Sequence, residues 1–247
     1  MSTNNTTQAG ATVHEPLLHL TCRLVRMDEG YHPVGIASGF IVERAGALLV
    51  LSAGHALREG RWCLETDVSF PSAYETVCIP LNGVLSFATL SLPTLEIHEL
   101  DFAYARLDIE MLRNEAKNNE RLRGKDISFL TYRGPMFDEP VGGKPRYSYA
   151  SGKGATWEDE SRKVLLRERT GEFGMTYEGR SQEGDLYCFS LPDAHKGHRY
   201  YCGASGSPIA DQDGKVVSLL LKGDESANKL YGLPLKDYTH LLDLELG

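Results

Sequence analysis

Three short segments, far apart in the chain, each carry a residue that can take part in proton transfer. His55 follows an apolar run, Asp101 opens the alternating segment 100–107, and Ser205 lies in the Gly-rich loop 203–208. A serine hydroxyl is a weak nucleophile at neutral pH. It needs a neutral imidazole to accept its proton and a carboxylate to orient that imidazole. If the three residues act together, the fold must bring these distant segments to one place.

Short runs of alternating apolar and polar residues predict β-strands along most of the chain. In the first half the predicted strands cover residues 18–25, 34–42, 47–52, 61–65, 74–79 and 102–107. In the second half they cover residues 127–132, 163–168, 186–191, 215–221 and 230–234. Residues 134–157 are rich in Gly, Pro and Ser and are interpreted as long surface loops. Residues 235–244 have the spacing of an amphipathic helix.

The three segments resemble those of the chymotrypsin/trypsin-like serine peptidases, which carry the same residue types in the same order, His, Asp, Ser. The resemblance extends from about residue 17 to the C-terminus. By position, His55 looks like the general base, Asp101 like the acid that orients it, and Ser205 like the nucleophile. The backbone N–H groups of Gly203 and Ser205 look like the oxyanion hole. The G-x-S-x-G motif of the α/β-hydrolases fits less well, because Ser207 stands where that motif has its second Gly. Those enzymes also carry their catalytic residues in the order Ser, Asp, His, which this chain reverses.

The resemblance also implies a fold and its division into parts. It implies an all-β protein of two packed six-stranded antiparallel β-barrels (chymotrypsin-like) with a C-terminal helix. The expected parts are a flexible tail (1–14), an N-terminal barrel with His55 and Asp101 (15–110), an inter-barrel linker (111–125), and a C-terminal barrel with Ser205 and the helix (126–247). The strong charge of the linker region favours a solvated connecting helix over a partner-binding segment.

Composition limits the class of protein and its partners. The chain is 41% hydrophobic and 24% charged, as is typical of a soluble globular protein, and it has no apolar run of membrane-spanning length. Its net charge of −8 gives no general attraction for nucleic acid or anionic membranes. Five cysteines cannot all pair. The resemblance adds that extracellular relatives have a disulfide beside the catalytic His, where this chain has Ala56 and Ser38. These features predict a cytoplasmic protein.

Departures from the digestive members of the family affect the expected specificity and activation. Arg199 stands six residues before Ser205, where trypsin has the acid that selects Lys or Arg. With Lys222 nearby, it predicts a substrate-binding pocket that prefers Asp or Glu before the scissile bond. Ala204 occupies the place of the acid that pairs with a newly formed N-terminus in secreted relatives. We therefore expect no activation of that kind, with Tyr200 and Tyr201 as candidates for ordering the oxyanion loop instead.

A second cluster of residues has an alternative interpretation. Two cysteines and two histidines within 15 residues could ligate zinc, although their spacing matches no common zinc finger; they are Cys188, His195, His198 and Cys202. A disulfide between Cys188 and Cys202 is a further alternative. The favoured interpretation is that this region forms the loop of the substrate pocket, and we expect neither a metal nor a cofactor.

The sequence therefore predicts a metal-independent serine endopeptidase that cleaves a protein or peptide substrate through an acyl-enzyme. The resemblance to compact intracellular, bacterial-type members implies site-specific processing of a particular protein, in some relatives within stress-response or antiphage defence. Two alternatives remain open. The chain could be a silent module that captures a peptide strand, or a subunit held inactive until an activator or sensor protein binds.

Overall fold

The computed structural model describes residues 17, 19–69, 76–108, 130–134, 137–151, 157–159, 164–165, 169–182 and 185–243. The predicted tail (1–14) and linker (111–125) lie outside these residues. Within the described ranges, helices are few and short, and none is long and apolar enough to cross a membrane.

Strands of the first half form one sheet. They are β1 (Thr21–Met27), β2 (Pro33–Arg44), β3 (Ala47–Ser52), β4 (Arg61–Ser69), β5 (Thr76–Pro80), β6 (Leu85–Ser91) and β7 (Glu96–Leu107). Their spatial order is β5-β4-β1-β2-β3-β7-β6, with antiparallel neighbours throughout. An eighth strand, β8 (Thr131–Tyr132), pairs in parallel with β2. A single helical turn, α1 (Gly54–Leu57), follows β3.

Strands of the second half form a closed barrel. Its members are β9 (Pro145–Ala150), β12 (Gly171–Arg180), β13 (Tyr187–Ser190), β14 (Pro208–Ala210), β15 (Val216–Asp224) and β16 (Lys229–Pro234). Around the barrel the order is β12-β13-β16-β15-β14-β9. A separate pair, β10 (Trp157–Asp159) and β11 (Val164–Leu165), lies between β9 and β12 in the chain. The helical turn α2 (His198–Tyr201) precedes β14, and α3 (Leu235–Asp243) follows β16.

The β2–β3 hairpin shows how local sequence sets the position of one part of the site. Ala45 and Gly46 connect the strands, and both have positive φ, at 47° and 80°. Positive φ at both central residues is the requirement of a type I′ turn, whose twist matches that of the flanking strands. The pairing of Phe40 with Leu51 continues the hairpin to the end of β3. Ser52, at the buried end of β3, and α1, which follows it, are thereby fixed in position.

Among the described residues, three apolar clusters form the core, and one of them joins the two halves. One lies in the N-terminal sheet and includes Leu24, Trp62 and Leu64; a second fills the barrel and includes Tyr147 and Phe189. The third combines buried residues of both halves and of α3, among them Phe40, Phe102, Leu219, Leu233 and Leu242. Burial of this shared cluster gives the halves a continuous apolar interface, and the catalytic candidates lie at its edge.

The predicted fold class, an all-β protein of the double-barrel type with a C-terminal helix, is confirmed, although the N-terminal sheet contains more strands than the six expected. Five strands were not predicted: Leu85–Ser91, Pro145–Ala150, Trp157–Asp159, Gly171–Arg180 and Pro208–Ala210. The assignment of 134–157 to loops was wrong for Pro145–Ala150, which pairs with β12 and β14. Its tyrosines Tyr147 and Tyr149 are buried in the barrel, so tertiary packing outweighs the Gly and Pro signals around them.

Candidate active site

His55 and Asp101 are brought into direct contact by α1 and β7. The ring Nδ1 of His55 lies 2.7 Å from Oδ2 and 2.9 Å from Oδ1 of Asp101, and the backbone N–H of His55 donates to Oδ1 at 2.7 Å. The preceding residue, Gly54, permits this approach: a Cβ there would lie 2.9 Å from the backbone N of Phe102 and 3.0 Å from the carbonyl of Leu100. The contact between His55 and Asp101 therefore requires a residue without a side chain before His55.

The charge state of Asp101 fixes the tautomer of His55. Burial of the carboxylate acts to raise its pKa, but hydrogen bonds from the ring and the backbone N–H of His55, together with the charges of His55 and Arg58, outweigh this and lower the pKa of Asp101. An ionised carboxylate only accepts hydrogen bonds, so the proton of a neutral His55 ring resides on Nδ1. The other ring nitrogen, Nε2, is then free to accept a proton, as a general base must be.

The loop with Ser205 is fixed to the N-terminal half by Ser38. The backbone N–H of Ser38 donates to the carbonyl of Ser205 at 3.1 Å, and its hydroxyl donates to the carbonyl of Gly203 at 2.8 Å. Ser52 in turn donates its hydroxyl to the carbonyl of Ser38 at 2.7 Å. Within the C-terminal half, the N–H of Gly206 donates to the carbonyl of Leu220 at 2.8 Å. Residues of both halves therefore determine where Ser205 lies, beside the end of β3 that leads into His55.

Backbone N–H groups in this loop alternate between paired and unpaired. The amides of Ala204, Gly206 and Ser207 donate to backbone carbonyls at 3.0, 2.8 and 3.0 Å. In contrast, the amides of Gly203 and Ser205 donate to no backbone carbonyl of the described residues. Gly203 has a φ of +79°, a region that favours glycine. Two unpaired amides two residues apart can hold a negatively charged oxygen, as the sequence analysis expects of an oxyanion hole.

The hydroxyl of Ser205 is turned toward β15. Its Oγ donates to the carbonyl of Leu221 at 3.2 Å, and among the described residues no hydrogen bond joins it to His55. A change of the Ser205 rotamer is therefore required before His55 can accept its proton. A missing hydrogen bond between nucleophile and base is common in sites without substrate, where catalytic hydrogen bonds form or shorten only when the substrate is bound.

Gly206 is predicted to tolerate no side chain. Its φ is +87°, and a Cβ would lie 2.1 Å from the carbonyl oxygen of Ser38 and 2.3 Å from the hydroxyl of Ser52. Gly206→Ala should lower the free energy of unfolding by about 3 kcal/mol or more, because backbone strain and a clash with backbone add together. Thermal or denaturant unfolding measures this change.

The matched control is Gly214→Ala, in the turn between β14 and β15. Gly214 has a similar φ, +79°, but its Cβ would meet nothing within 4 Å. This substitution should cost about 1 kcal/mol from backbone strain alone. Equal losses at the two positions would show that contact with Ser38 and Ser52 does not constrain the loop.

The residues predicted to line the substrate pocket belong to two different elements. Arg199 is an exposed residue of α2, and Lys222 is an exposed residue of β15 whose Nζ lies 5.5 Å from the ring centre of Tyr231. His195, a candidate zinc ligand in the sequence, packs instead between α2 and β15: its ring centre is 4.4 Å from that of Tyr201, and its Nε2 would lie 2.6 Å from a Cβ on Gly223.

The four candidate zinc ligands are not assembled into a metal site. Among the described residues, no group of three or more His, Cys, Asp or Glu side chains is placed to hold a metal ion. Cys188 is buried on β13, and Cys202 is exposed after α2; both are free thiols, as are Cys22, Cys63 and Cys78. Burial raises the pKa of the Cys188 thiol. The disulfide between Cys188 and Cys202 is therefore not formed in this structure.

No family model and no curated protein sequence matches the chain. Solved structures do. Mouse neuropsin, a serine protease, is 12% identical with a TM-score of 0.57, over 94% of this chain and 96% of its own. An inactivated protease paralogue of the scabies mite is 12% identical with a TM-score of 0.57, over 94% and 95%. Tobacco etch virus protease in complex with product is 14% identical with a TM-score of 0.52, over 98% and 86%.

Identities this low indicate a shared fold and leave activity to be argued from the site, since one fold hosts different functions. The neighbours include both active proteases and an inactivated one. This chain has the chymotrypsin-like serine protease fold.

Proposed function

We propose that the chain is a serine endopeptidase in which Ser205 is the nucleophile, His55 the general base and acid, and Asp101 the residue that orients His55. The observation that carries the proposal is the contact of the His55 ring with the ionised Asp101, 2.7 Å from Nδ1 to Oδ2, beside a loop whose Gly203 and Ser205 amides donate to no carbonyl in the described part of the chain. A base, its orienting acid, a hydroxyl and two oxyanion donors are the groups that acyl transfer requires.

In the proposed reaction, Ser205 Oγ forms a bond to the carbonyl carbon of the scissile peptide while its proton passes to Nε2 of His55. The carbonyl oxygen becomes negative and accepts hydrogen bonds from the amides of Gly203 and Ser205. The C–N bond then breaks, and His55 returns the proton to the departing amine. Water repeats the sequence on the acyl-enzyme, with His55 taking its proton, and releases the carboxylic acid and free Ser205.

The end of β15 can align the substrate. Ser218 and Leu219 of β15 pair with both β14 and β16, whereas Lys222, Gly223 and Asp224 pair with β16 alone. Their other edge is free of strand pairing within the described residues, next to the carbonyl of Leu221 that faces Ser205. An extended peptide can add to such an edge through backbone hydrogen bonds. We propose that Lys222 and Arg199 favour an acidic residue before the scissile bond, because both are exposed cations and Lys222 lies on this edge.

The biological part of the proposal rests on the family resemblance. It is site-specific processing of one protein in the cytoplasm of a bacterium, in stress response or antiphage defence. A gated or silent peptide-binding subunit is the second candidate. Two observations favour it: the fold is shared with an inactivated protease paralogue, and the hydroxyl of Ser205 is bonded to Leu221 rather than to His55.

Labelling with a fluorophosphonate probe separates the two candidates. The probe reacts only with a serine whose hydroxyl is activated by a base, so we expect stoichiometric modification of Ser205, located by peptide mass spectrometry. His55→Ala should remove the labelling, because Ser205 then lacks its base. A wild-type chain that is not labelled contradicts the proposal of an active enzyme. Labelling that requires an added cell extract would instead support gating by an activator protein.

A further inference from the structure

A buried carboxylate lies beneath the loop that leads to Ser205. Glu172 is the second residue of β12, and its side chain is only 5% exposed. Its Oε1 accepts hydrogen bonds from Nζ of Lys196 at 2.8 Å and from the hydroxyl of Tyr201 at 3.0 Å. Both partners belong to the loop, and Glu172 belongs to the barrel wall. Burying an ionised carboxylate is costly unless it is paired and hydrogen-bonded, so its position needs an explanation.

The neighbours of Glu172 anchor the same loop. Tyr200 donates its hydroxyl to the carbonyl of Gly171 at 3.2 Å, and Nζ of Lys196 lies 4.6 Å from the ring centre of Tyr200. The rings of Tyr149 and Tyr201 have their centres 6.5 Å apart. Hydrogen bonding to Glu172 raises the pKa of Lys196, as expected for a stable ion pair. Residues 196–201, which contain only one helical turn, are thus held to β12 by a polar network.

Tyr201 connects this network to the proposed oxyanion hole. Its hydroxyl is bonded to Glu172, and its carbonyl accepts the hydrogen bond from the amide of Ala204 at 3.0 Å. That bond occupies the one amide between Gly203 and Ser205, whose own amides remain unpaired. The direction of the Gly203 and Ser205 amides therefore depends on where the backbone of Tyr201 is held.

We propose that Glu172 is a positioning residue for catalysis: through Tyr201 and Lys196 it holds the Gly203–Ser205 backbone in the arrangement that binds the oxyanion. This inference rests on the proposed function of Ser205. A positioning role and a purely structural role of Glu172 predict different effects of its substitution. A loosened oxyanion loop weakens binding of the transition state more than binding of the uncleaved peptide, whereas general destabilisation reduces only the fraction of folded enzyme.

The test uses a fluorogenic peptide selected from a positional-scanning library, with active sites titrated by the fluorophosphonate. Glu172→Ala should lower kcat per titrated site by about 10- to 100-fold, with KM within about 2-fold, a smaller loss than removal of an oxyanion donor outright. Glu172→Gln retains an acceptor for Tyr201 and should recover part of the rate. Tyr201→Phe removes only the hydroxyl that bonds to Glu172 and should also lower kcat. This variant tests the inference independently if Glu172→Ala fails to fold.

A peptide boronate provides a second readout, because it forms a tetrahedral adduct with a negative oxygen. Its inhibition constant should rise by the same factor as kcat falls. Binding of the uncleaved peptide to Ser205→Ala should be the same with and without Glu172→Ala. The control is Lys229→Ala, which breaks a pair of equal length on the same barrel, Lys229 Nζ to Glu178 Oε2 at 2.8 Å. It should leave kcat unchanged.

Three outcomes would overturn the inference. These are wild-type kcat in both Glu172→Ala and Tyr201→Phe, an equal loss of kcat in Lys229→Ala, or a loss confined to KM. Failure of the proposed function has a different signature. In that case Ser205→Ala would hydrolyse the peptide as well as the wild type does, whatever residue stands at position 172.

Discussion

Replacing Ser205 by alanine is expected to abolish peptide hydrolysis and to leave the fold intact. In enzymes that use this set of groups, loss of the nucleophile lowers kcat by about 10⁶, and only the contributions of binding and the oxyanion hole remain. The fold should persist because the Oγ of Ser205 makes one hydrogen bond, to the carbonyl of Leu221, while the backbone bonds of the loop are unaffected. Steady-state rates with the selected fluorogenic peptide, and circular dichroism of the variant, measure both parts.

Ser207→Ala is the matched control for Ser205→Ala. Ser207 lies two residues later in the same loop, is fully buried, and its hydroxyl has no hydrogen-bond partner among the described residues. Removal of that hydroxyl should leave both the rate and the melting temperature close to those of the wild type, since an unpaired buried hydroxyl contributes little to stability. Hydrolysis by Ser205→Ala within tenfold of the wild-type rate would remove Ser205 from the mechanism.

The residues of the proposed site could be selected from the sequence because each has a local sequence pattern. His55 follows an apolar run that forms β3, Asp101 lies in the alternating residues of β7, and Ser205 is surrounded by glycines with positive φ. Each pattern expresses a local requirement: a buried strand, a strand with one buried face, or a sharp turn. The order of the three, compared with a known family, supplied the tertiary arrangement that local patterns alone do not contain.

Residues that connect the site to its surroundings were not predictable in the same way. Ser38 appeared in the sequence only as the place of a missing cysteine, yet it joins the Ser205 loop to the N-terminal half through two hydrogen bonds. Glu172 lies in a strand that was not predicted at all, and its pairing with Lys196 spans 24 positions of the chain. Such contacts depend on strand order and register, which are set by tertiary packing rather than by the residues near either partner.

The likeness to solved structures and the local geometry answer different questions. The same fold occurs in neuropsin and in an inactivated paralogue, so the fold leaves the presence of catalysis open. The geometry of the site supports the proposed catalysis: the pairing of His55 with an ionised Asp101, and the Gly203 and Ser205 amides that donate to no carbonyl of the described residues, are groups that acyl transfer requires and that peptide capture alone does not. The presence of both features favours the proposed enzyme over a silent binding module.

Replacing Asp101 by asparagine is expected to lower kcat by about 10⁴ while leaving the fold unchanged. The asparagine Oδ1 can still accept the backbone N–H of His55, so α1 should remain attached to β7. Its amide group, however, can donate to Nδ1 of His55, and the ring proton then moves to Nε2. A ring protonated at Nε2 cannot accept the proton of Ser205, although the side chain occupies the same space.

Measurement of kcat for the fluorogenic peptide tests this prediction, with Asp243→Asn as the control. Asp243 is also a carboxylate whose pKa is lowered by its hydrogen bonds, in this case to Arg44, but it lies at the end of α3 and takes no part in the proposed site. Asp243→Asn should therefore keep the wild-type rate.

If Asp101→Asn stays within tenfold of the wild type, the carboxylate does not set the tautomer of His55, and its contact with the ring is structural only. If both variants lose activity equally, the loss reflects general destabilisation. A large loss confined to Asp101→Asn would show that the proton on Nδ1 of His55 is held there for catalysis.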